Sequence, residues 1–317
     1  MTLAPAPLFT DLYPGPETGL AHWTETPDGK RLRVAHWPVD GAKGTVLLFP
    51  GRTEYVEKYG VTAAEFAKRG LAVMAIDWRG QGLADRLLPD RRVGQVDHFP
   101  DYQKDVATMM RAARTLQLPR PFFMLAHSMG GAIGLRAAME GLSVQAAAFT
   151  APMWGIHLAP HLRPFAWGLS RIMPRIGQGH QLPFGTKYDS YVASEPFENN
   201  MLTTDAPMFD MMRDQLVAHP ELALGGPSYV WLREALDETK HLALRAAPSL
   251  PCVTFLGSNE RIVHIGRIHQ RMKTWTGSKL QIVEGAEHEI LMEKPAIRDA
   301  AIDDMARLFL GNAKNRS

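Results

Sequence analysis

Short runs of apolar residues alternate along this chain with stretches whose apolar residues recur at helical spacing. Runs of the first kind predict buried strands, and stretches of the second kind predict amphipathic helices. The clearest predicted strands cover residues 44–49, 71–77, 122–127, 146–150, 251–257 and 279–283. The predicted helices cover residues 61–69, 101–116, 129–140, 265–276 and 297–309. This alternation predicts an α/β fold with a mostly parallel sheet that helices cover on both faces.

Two parts of the chain depart from the alternation. Residues 21–25 and 31–37 flank Asp28-Gly29 and predict an antiparallel hairpin. Between Trp154 and Ala247 the pattern is helical, with scattered prolines and many methionines and aromatic residues. We interpret residues 153–247 as a helical cap subdomain, inserted into an α/β core made of residues 1–152 and 248–317.

Length and composition fit one large α/β domain with an insertion. The chain has 317 residues, of which 45% are hydrophobic and 21% charged, as is ordinary for a soluble globular protein. The formal net charge of +2 gives no reason to expect a nucleic-acid partner. Cys252 is the only cysteine, so no disulfide framework exists. Because we find neither a membrane-spanning run nor a secretory signal, we expect a cytoplasmic protein.

The most informative motif is Ala-His-Ser-Met-Gly-Gly at residues 126–131, between a predicted strand and a predicted helix. A strand that turns sharply into a helix strains the central residue and needs small residues two positions to either side. Ala126 and Gly130 supply them, so the Ser128 hydroxyl should be exposed at the carboxyl edge of the sheet. A glycine-rich turn with an incidental serine is the other interpretation.

A serine hydroxyl becomes nucleophilic only with a base, which in turn needs an orienting acid. At such a turn the chain order is serine, acid, histidine. Glu260 is the only carboxylate in the loop after predicted strand 251–257, and His288 lies in the loop after predicted strand 279–283. Each alone could be an ordinary surface residue. Because both occur in the required order and loop type, we predict a catalytic triad of Ser128, Glu260 and His288.

Acyl transfer also requires two N–H donors for the developing oxyanion, each worth roughly 3–4 kcal/mol of barrier. The Met129 N–H, at the start of the helix after the serine, is the first predicted donor. Pro50-Gly51-Arg52 follows a predicted strand, and Gly51 would allow the bend that turns the Arg52 N–H inward. A plain Pro-Gly turn is the alternative.

Other polar residues have simpler interpretations. Asp77 precedes the serine, so we expect it to accept bonds from N–H groups in its own turn. His127 should point away from the site, because side chains alternate at the end of a strand. His264 and His269 do not share a helix face, and no third ligand accompanies them. We therefore expect no metal site.

With these motifs, the sequence resembles the α/β-hydrolase family, and within it the branch of the monoacylglycerol lipases and the bacterial inner-membrane lysophospholipase. The resemblance extends from about Gly44 to the end of the chain. It is carried by residues 50–55, 77–82, 126–131 and 225–231 and by the Glu260 and His288 loops. It implies a serine esterase that uses no metal and no organic cofactor.

Two residues depart from the common family pattern. Pro50-Gly51 stands where many members have His-Gly, as it does in the bacterial lysophospholipase group. Glu260 stands where aspartate is commoner, although glutamate is an accepted variant. Neither change argues against hydrolysis, and both leave rate and substrate range open.

The predicted cap suggests how a substrate is held. Among its many methionines and aromatic residues, we predict that Met153, Trp154, Phe209 and Met212 contact an acyl chain. About half of such residues should instead form the core of the subdomain. The stretch from Met153 to Tyr188 has no carboxylate. This charge balance suits peripheral contact with anionic lipid head groups, although a solvated basic face would explain it equally well.

The leading hypothesis is hydrolysis of carboxylic esters of single-acyl lipids, such as a lysophospholipid or a monoacylglycerol. The alternatives are a broad short-chain carboxylesterase, an acyltransferase, and a non-catalytic binding protein with the same fold. Epoxide hydrolysis and dehalogenation are disfavoured because they use aspartate at the position of Ser128. The sequence does not indicate the head group, the acyl length or the oligomeric state.

Overall fold

The computed structural model describes residues 3–313, and its centre is a nine-stranded sheet with helices on both faces. The strands are β1 (Ala4–Ala6), β2 (Leu20–Glu25), β3 (Arg31–Trp37), β4 (Thr45–Phe49), β5 (Ala72–Asp77), β6 (Phe122–His127), β7 (Ala147–Thr150), β8 (Cys252–Gly257) and β9 (Ser278–Val283). The α-helices are α1 (Gly60–Lys68), α2 (Tyr102–Thr115), α3 (Ser128–Met139), α4 (Arg163–Arg175), α5 (Tyr191–Ser194), α6 (Ala206–Ala218), α7 (Tyr229–Leu244), α8 (Ile265–Thr274) and α9 (Pro295–Gly311).

The sheet has the strand order β1-β2-β3-β5-β4-β6-β7-β8-β9. β1, β2, β3 and β5 pair antiparallel, and all pairs from β5 to β9 are parallel. The predicted hairpin is β2–β3, and its turn contains Gly29 with φ +74°. The sheet thus confirms the predicted mostly parallel α/β architecture, to which an antiparallel edge is added.

Strand β4 shows why the predicted strands are continuous runs of apolar residues. Val46 and Leu48 pack into the core on one face of the sheet, together with Phe66 of α1. Leu47 and Phe49 pack into the core on the opposite face. Because both faces are covered, every position of the strand is buried and apolar side chains are favoured throughout.

Helices α4–α7 lie between β7 and β8, in the segment where the strand pattern breaks down. This segment is tied to the core: Glu238 of α7 binds Arg136 of α3, with Oε2 2.6 Å from Nη2. The boundaries of a separate cap at residues 153 and 247 stay a prediction. None of the helices between residues 3 and 313 combines the length and apolar character needed to cross a bilayer.

The topology brings the predicted site residues to one edge. β4, β6, β8 and β9 run parallel, so the loops that follow them lie at the same carboxyl end of the sheet. Ligands of open α/β sheets bind at this end. The loops there carry Arg52, Ser128, Glu260 and His288.

Candidate active site

Ser128 stands at the junction of β6 and α3 and adopts a strained backbone conformation. Its φ of +49° lies in the left-handed region, which costs a residue with a side chain about 1–3 kcal/mol. The surrounding structure holds this strain in place. A Cβ atom on Gly130 would lie 2.1 Å from the Phe49 carbonyl oxygen and 2.5 Å from that of Pro50. Only glycine lets α3 pack this closely on the end of β4.

His288 and Glu260 form a buried pair at the ends of β9 and β8. His288 Nδ1 lies 2.7 Å from Glu260 Oε2, and the two residues are 3% and 4% exposed. Glu260 Oε1 also accepts the backbone N–H groups of Ile262 and Val263, at 2.6 and 3.0 Å. This pairing occupies Nδ1 of the imidazole, so Nε2 is the nitrogen that can exchange a proton with another group.

The environment keeps Glu260 ionised. Burial by itself raises the pKa of this carboxyl group, but the charge and hydrogen bond of His288 and the two backbone N–H donors outweigh burial. The net effect lowers the pKa of Glu260 below its ordinary value. An ionised acceptor fixes the orientation of the His288 ring.

Ser128 and His288 line the same cavity, which measures about 780 Å³ including its part open to solvent. Its polar lining includes Arg52, Thr53, Glu54, Lys58, His127, Ser190 and Glu289. Its apolar lining includes Val192, Met201, Leu202, Met212, Leu216 and Ile262. The cavity therefore joins a charged end to an apolar wall that is supplied mostly by the segment between β7 and β8.

Of the four predicted acyl-chain contacts, only Met212 lines this cavity. The Met153 N–H donates to the Ser128 carbonyl oxygen at 2.8 Å. Trp154 Nε1 donates to the Gly131 carbonyl oxygen at 3.1 Å. Phe209 is fully buried and packs edge-on against Phe197. Met153 and Trp154 pack beneath the site, and Phe209 packs in the core. Composition alone does not distinguish such residues from residues that line a cavity.

The loop after β4 is held by side chains of the turn after β5. Trp78 Nε1 donates to the Pro50 carbonyl oxygen at 2.9 Å. Gln81 Nε2 donates to the Gly51 carbonyl oxygen at 3.0 Å, and its Oε1 accepts the Thr53 N–H at 3.2 Å. A loop fixed at three residues on either side of Arg52 can present a backbone donor without rearrangement.

The Arg52 side chain connects this loop to residues 225–231. Its Nη1 donates to the Gly225 carbonyl oxygen at 2.8 Å, and its guanidinium lies 5.6 Å from the centroid of the Trp231 ring. Burial lowers the pKa of Arg52 to about 10, so the group remains charged at neutral pH. Donation of the Arg52 and Met129 N–H groups to an oxyanion stays a prediction.

Asp77 anchors the loops rather than taking part in the predicted triad. Its Oδ2 accepts the Leu83 N–H at 2.8 Å, a bond within its own turn of the expected kind. Its Oδ1 accepts the Val56 N–H at 2.9 Å, from the segment after the β4 loop. The sequence did not indicate its third partner, the fully buried Arg33, whose Nε donates at 2.7 Å.

Two further histidines that the sequence singles out, His264 and His127, lie in different places. His264 caps α8, where its Nδ1 accepts the Arg267 N–H at 3.3 Å. His127 was expected to point away from the site, and this expectation is wrong. Its ring lies 4.9 Å from the His288 ring and lines the cavity. His127 is itself regular strand, with φ −105° and ψ 137°, and the loops that carry Glu54 and Glu289 bring their carboxylates to its ring.

His127 belongs to a group of four ionisable residues that we call the buried quartet: Glu54, Lys58, His127 and Glu289. Each is at most 5% exposed. Lys58 Nζ lies 2.6 Å from Glu54 Oε1 and 2.7 Å from Glu289 Oε1. His127 Nε2 lies 3.2 Å from Glu289 Oε2 and 3.5 Å from Glu54 Oε1. No motif in the sequence indicates the quartet, although Glu289 directly follows His288.

Glu54, His127 and Glu289 together offer a set of donor atoms within 4.8 Å of one another, which a metal ion could use. The position between the two carboxylates is already taken by the Lys58 ammonium group. The cluster is therefore better described as two ion pairs than as a metal centre.

Comparisons with known proteins agree with this architecture. The family model Hydrolase_4, described as serine aminopeptidase, S33, matches residues 40–295. Lysophospholipase L2 of Escherichia coli strain K12 is 32% identical over 276 residues, covering 83% of this chain and 79% of the relative. A probable lysophospholipase L2 of Haemophilus influenzae is 27% identical, covering 87% of this chain and 88% of the relative.

A solved structure shares the fold at lower identity. A soluble variant of monoglyceride lipase from Saccharomyces cerevisiae, in complex with a substrate analog, superposes with a TM-score of 0.71 at 20% identity. The match covers 98% of this chain and 100% of that chain. Given the strained serine turn, the sheet topology and the match over residues 40–295, the chain belongs to the α/β-hydrolase family Hydrolase_4 (serine aminopeptidase, S33) and is a hydrolase.

Proposed function

We propose that this protein hydrolyses carboxylic esters of single-acyl lipids, lysophospholipids or monoacylglycerols, through an acyl-enzyme on Ser128. The observation that carries the proposal is the site itself. A serine in a strained left-handed conformation shares a cavity with a histidine whose Nδ1 is held 2.7 Å from a buried carboxylate. This is the arrangement that nucleophilic acyl transfer requires.

In the proposed first half-reaction, Ser128 Oγ attacks the ester carbonyl carbon while His288 Nε2 takes the hydroxyl proton. The N–H groups of Arg52 and Met129 bind the oxyanion of the tetrahedral intermediate. Its collapse breaks the ester C–O bond, and the leaving alcohol takes the proton from His288.

In the second half-reaction, His288 deprotonates a water molecule that attacks the acyl-serine. Collapse of this second intermediate releases the carboxylic acid, and Ser128 regains its proton. Glu260 holds the imidazole ring throughout and stabilises its charged form. No metal or organic cofactor has a role in this sequence of steps.

Two observations support a lipid substrate over a small ester. The apolar cavity wall of six residues, among them Met201, Met212 and Leu216, suits an aliphatic chain. The relatives matched over most of the chain carry the name lysophospholipase L2, and the yeast structure is named a monoglyceride lipase.

We also propose that the enzyme docks on anionic lipid surfaces through one face of α4, the α4 face. It consists of Leu162, Phe165, Ile172 and Ile176, which are 49%, 67%, 52% and 62% exposed. Their spacing of three, seven and four residues places them along one side of the helix. Residues 153–188 contain no carboxylate, and the exposed Arg175 in the last turn of α4 borders the face. An apolar face with a basic border is complementary to an anionic bilayer surface.

A substrate panel tests the proposed activity. The purified protein and its Ser128→Ala variant are incubated with palmitoyl lysophosphatidylethanolamine, monopalmitoylglycerol, p-nitrophenyl butyrate and leucine p-nitroanilide, and the released products are quantified. We expect the single-acyl lipids to have a kcat/KM about tenfold or more above that of the butyrate, and the variant to be inactive.

Each other outcome assigns a different function. Preference for the butyrate would identify a short-chain esterase, and acyl transfer to added glycerol would identify an acyltransferase. Cleavage of the anilide alone would match the aminopeptidase named in the family description. Absence of every activity would leave a non-catalytic binding protein.

A further inference from the structure

The buried quartet connects three of the four loops that carry the proposed catalytic groups. Glu54 and Lys58 follow the Arg52 loop, His127 directly precedes Ser128, and Glu289 directly follows His288. We infer that the quartet acts as a positioning brace. Its paired charges fix three groups relative to one another: the loop after β4 with Arg52 (the oxyanion loop), the nucleophile Ser128 and the base His288. This inference rests on the proposed acyl-transfer function.

Glu54 couples the brace to the oxyanion loop. Its Oε2 accepts the backbone N–H of Gly51 and the hydroxyl of Tyr59, while its Oε1 lies 2.6 Å from Lys58 Nζ. Gly51 directly precedes the predicted donor Arg52. A shift of the Glu54 carboxylate would therefore alter the bend of this loop.

Glu289 couples the brace to the histidine loop. One carboxylate oxygen lies 2.7 Å from Lys58 Nζ and the other 3.2 Å from His127 Nε2. Its own backbone N–H donates to the Leu202 carbonyl oxygen at 2.8 Å, next to the apolar cavity wall. Anchored at both its side chain and its backbone, Glu289 restricts the movement of the adjoining His288.

His127 couples the brace to the nucleophile. Its Nδ1 is within hydrogen-bond distance of Thr150, 2.9 Å from Oγ1 and 3.1 Å from the carbonyl oxygen. Its Nε2 lies 3.2 Å from Glu289 Oε2 and 3.5 Å from Glu54 Oε1. The ring is thus fixed from the end of β7 on one side and from the two acidic loops on the other.

The charges balance when His127 is protonated, since two carboxylates then face one ammonium and one imidazolium. Burial disfavours the charged form of His127, but Glu289 and Glu54 outweigh burial and raise its pKa above the ordinary histidine value. The same partners raise the pKa of Lys58 against burial. The other titratable groups facing the ring are Lys58 and His288.

Two variants test the brace in the intact enzyme. Glu289→Gln removes one charge from it, and Glu287→Gln is the matched control, because Glu287 lies on the other side of His288 and pairs with Arg261 near the surface. With p-nitrophenyl butyrate we expect Glu289→Gln to lower kcat about tenfold or more while KM stays within about twofold. The rate of covalent labelling by a fluorophosphonate should fall by a similar factor, and the control should match the native enzyme.

Variants of Lys58, the ammonium group of the quartet, give a second test of the brace. Lys58→Arg keeps the charge and should retain most of the activity, whereas Lys58→Met should lose as much kcat as Glu289→Gln. The double variant Glu289→Gln/Lys58→Met should lose less than the product of the two single losses, because the two residues act through one ion pair. Equal losses for Lys58→Arg and Lys58→Met, or independent losses in the double variant, would overturn the brace.

An NMR titration of the His127 ring in the native protein tests the inference even where a variant fails to fold. We expect His127 to remain protonated above the ordinary histidine range and Glu289→Gln to bring its pKa down. A ring that is neutral at pH 7 in the native protein, or a Glu289→Gln enzyme with native kcat, overturns the inference. Loss of native activity on treatment with EDTA would instead mean that the cluster holds a metal ion. If the native enzyme neither labels nor cleaves esters, the proposed function fails while the titration still tests the charge pairing.

Discussion

His288 Nδ1 lies 2.7 Å from Glu260 Oε2, across 28 residues of sequence and between the ends of two adjacent parallel strands. The sheet itself creates this contact. β8 and β9 pair in register from Cys252↔Ser278 to Gly257↔Val283, so the loops that follow them start side by side. The pair is therefore built on rigid elements, as proton transfer at a fixed geometry requires.

The charged form of Glu260 should stabilise the fold at neutral pH. Its pKa is lower in the folded protein than in the unfolded chain. The stabilisation is therefore fully present above the unfolded pKa and is lost as pH falls through the lower folded pKa. Glu260→Gln should lower the free energy of unfolding at pH 7, and this difference should shrink below about pH 4. Urea denaturation across this pH range measures it, and a difference independent of pH would refute the charge assignment.

Gly130→Ala should disrupt the serine turn. The added Cβ would meet two backbone carbonyl oxygens at 2.1 and 2.5 Å, and neither can move without shifting β4 or its loop. We expect a loss of about 1–3 kcal/mol in the free energy of unfolding, with a fall in esterase activity. The control is Gly168→Ala in α4, where no atom lies within 4 Å of the added group. That change should be neutral or stabilising by up to about 1 kcal/mol. Equal thermal stability of the two variants would contradict this prediction.

Asp77→Asn should destabilise the fold much more than a comparable surface change. It removes one of the two carboxylate charges that pair with the fully buried Arg33, whose Nε lies 2.7 Å from Asp77 and whose Nη1 lies 2.6 Å from Glu57. Leaving a buried charge partly unpaired costs about 3 kcal/mol or more. Asp85→Asn is the control, because Asp85 pairs with Arg31 at 3.7 Å on the surface and should cost less than about 1 kcal/mol. Denaturant unfolding compares the two, and similar losses would rule out the anchoring role of Asp77.

Binding to anionic vesicles should depend on the α4 face. The double variant Phe165→Ser/Ile172→Ser removes two exposed apolar side chains from it. We expect it to co-sediment severalfold less with vesicles that contain phosphatidylglycerol, and to cleave p-nitrophenyl butyrate at the native rate. Val217→Ser is the control, because Val217 is 71% exposed on α6, outside this face. Vesicle binding that is unaffected by the double variant, or independent of anionic lipid, would count against docking through α4.

The architecture was predictable because its signals are local. β4 is buried at every position and apolar from Val46 to Phe49 since both faces of the sheet are covered, and Gly130 is required by a close approach at one turn. Ser128, Glu260 and His288 could be proposed together because their order follows the order of the strands. The sheet then brings the loops of all three to one edge.

What the sequence left open depends on contacts between distant segments. Met212 and Phe209 are similar residues of one helix, yet Met212 lines the cavity while Phe209 packs in the core. Their difference arises from the rotation of α6 on its neighbours. The quartet likewise forms only when the loops after β4, β6 and β9 meet, which places the carboxylates of Glu54 and Glu289 beside His127.

Mass-spectrometric mapping of a fluorophosphonate adduct on the native protein tests most directly whether this fold carries a working nucleophile. We predict a single adduct on the hydroxyl of residue 128, formed quickly at neutral pH and slowed by orders of magnitude in His288→Ala. An unlabelled native protein, or an adduct on any other serine, would contradict the assignment.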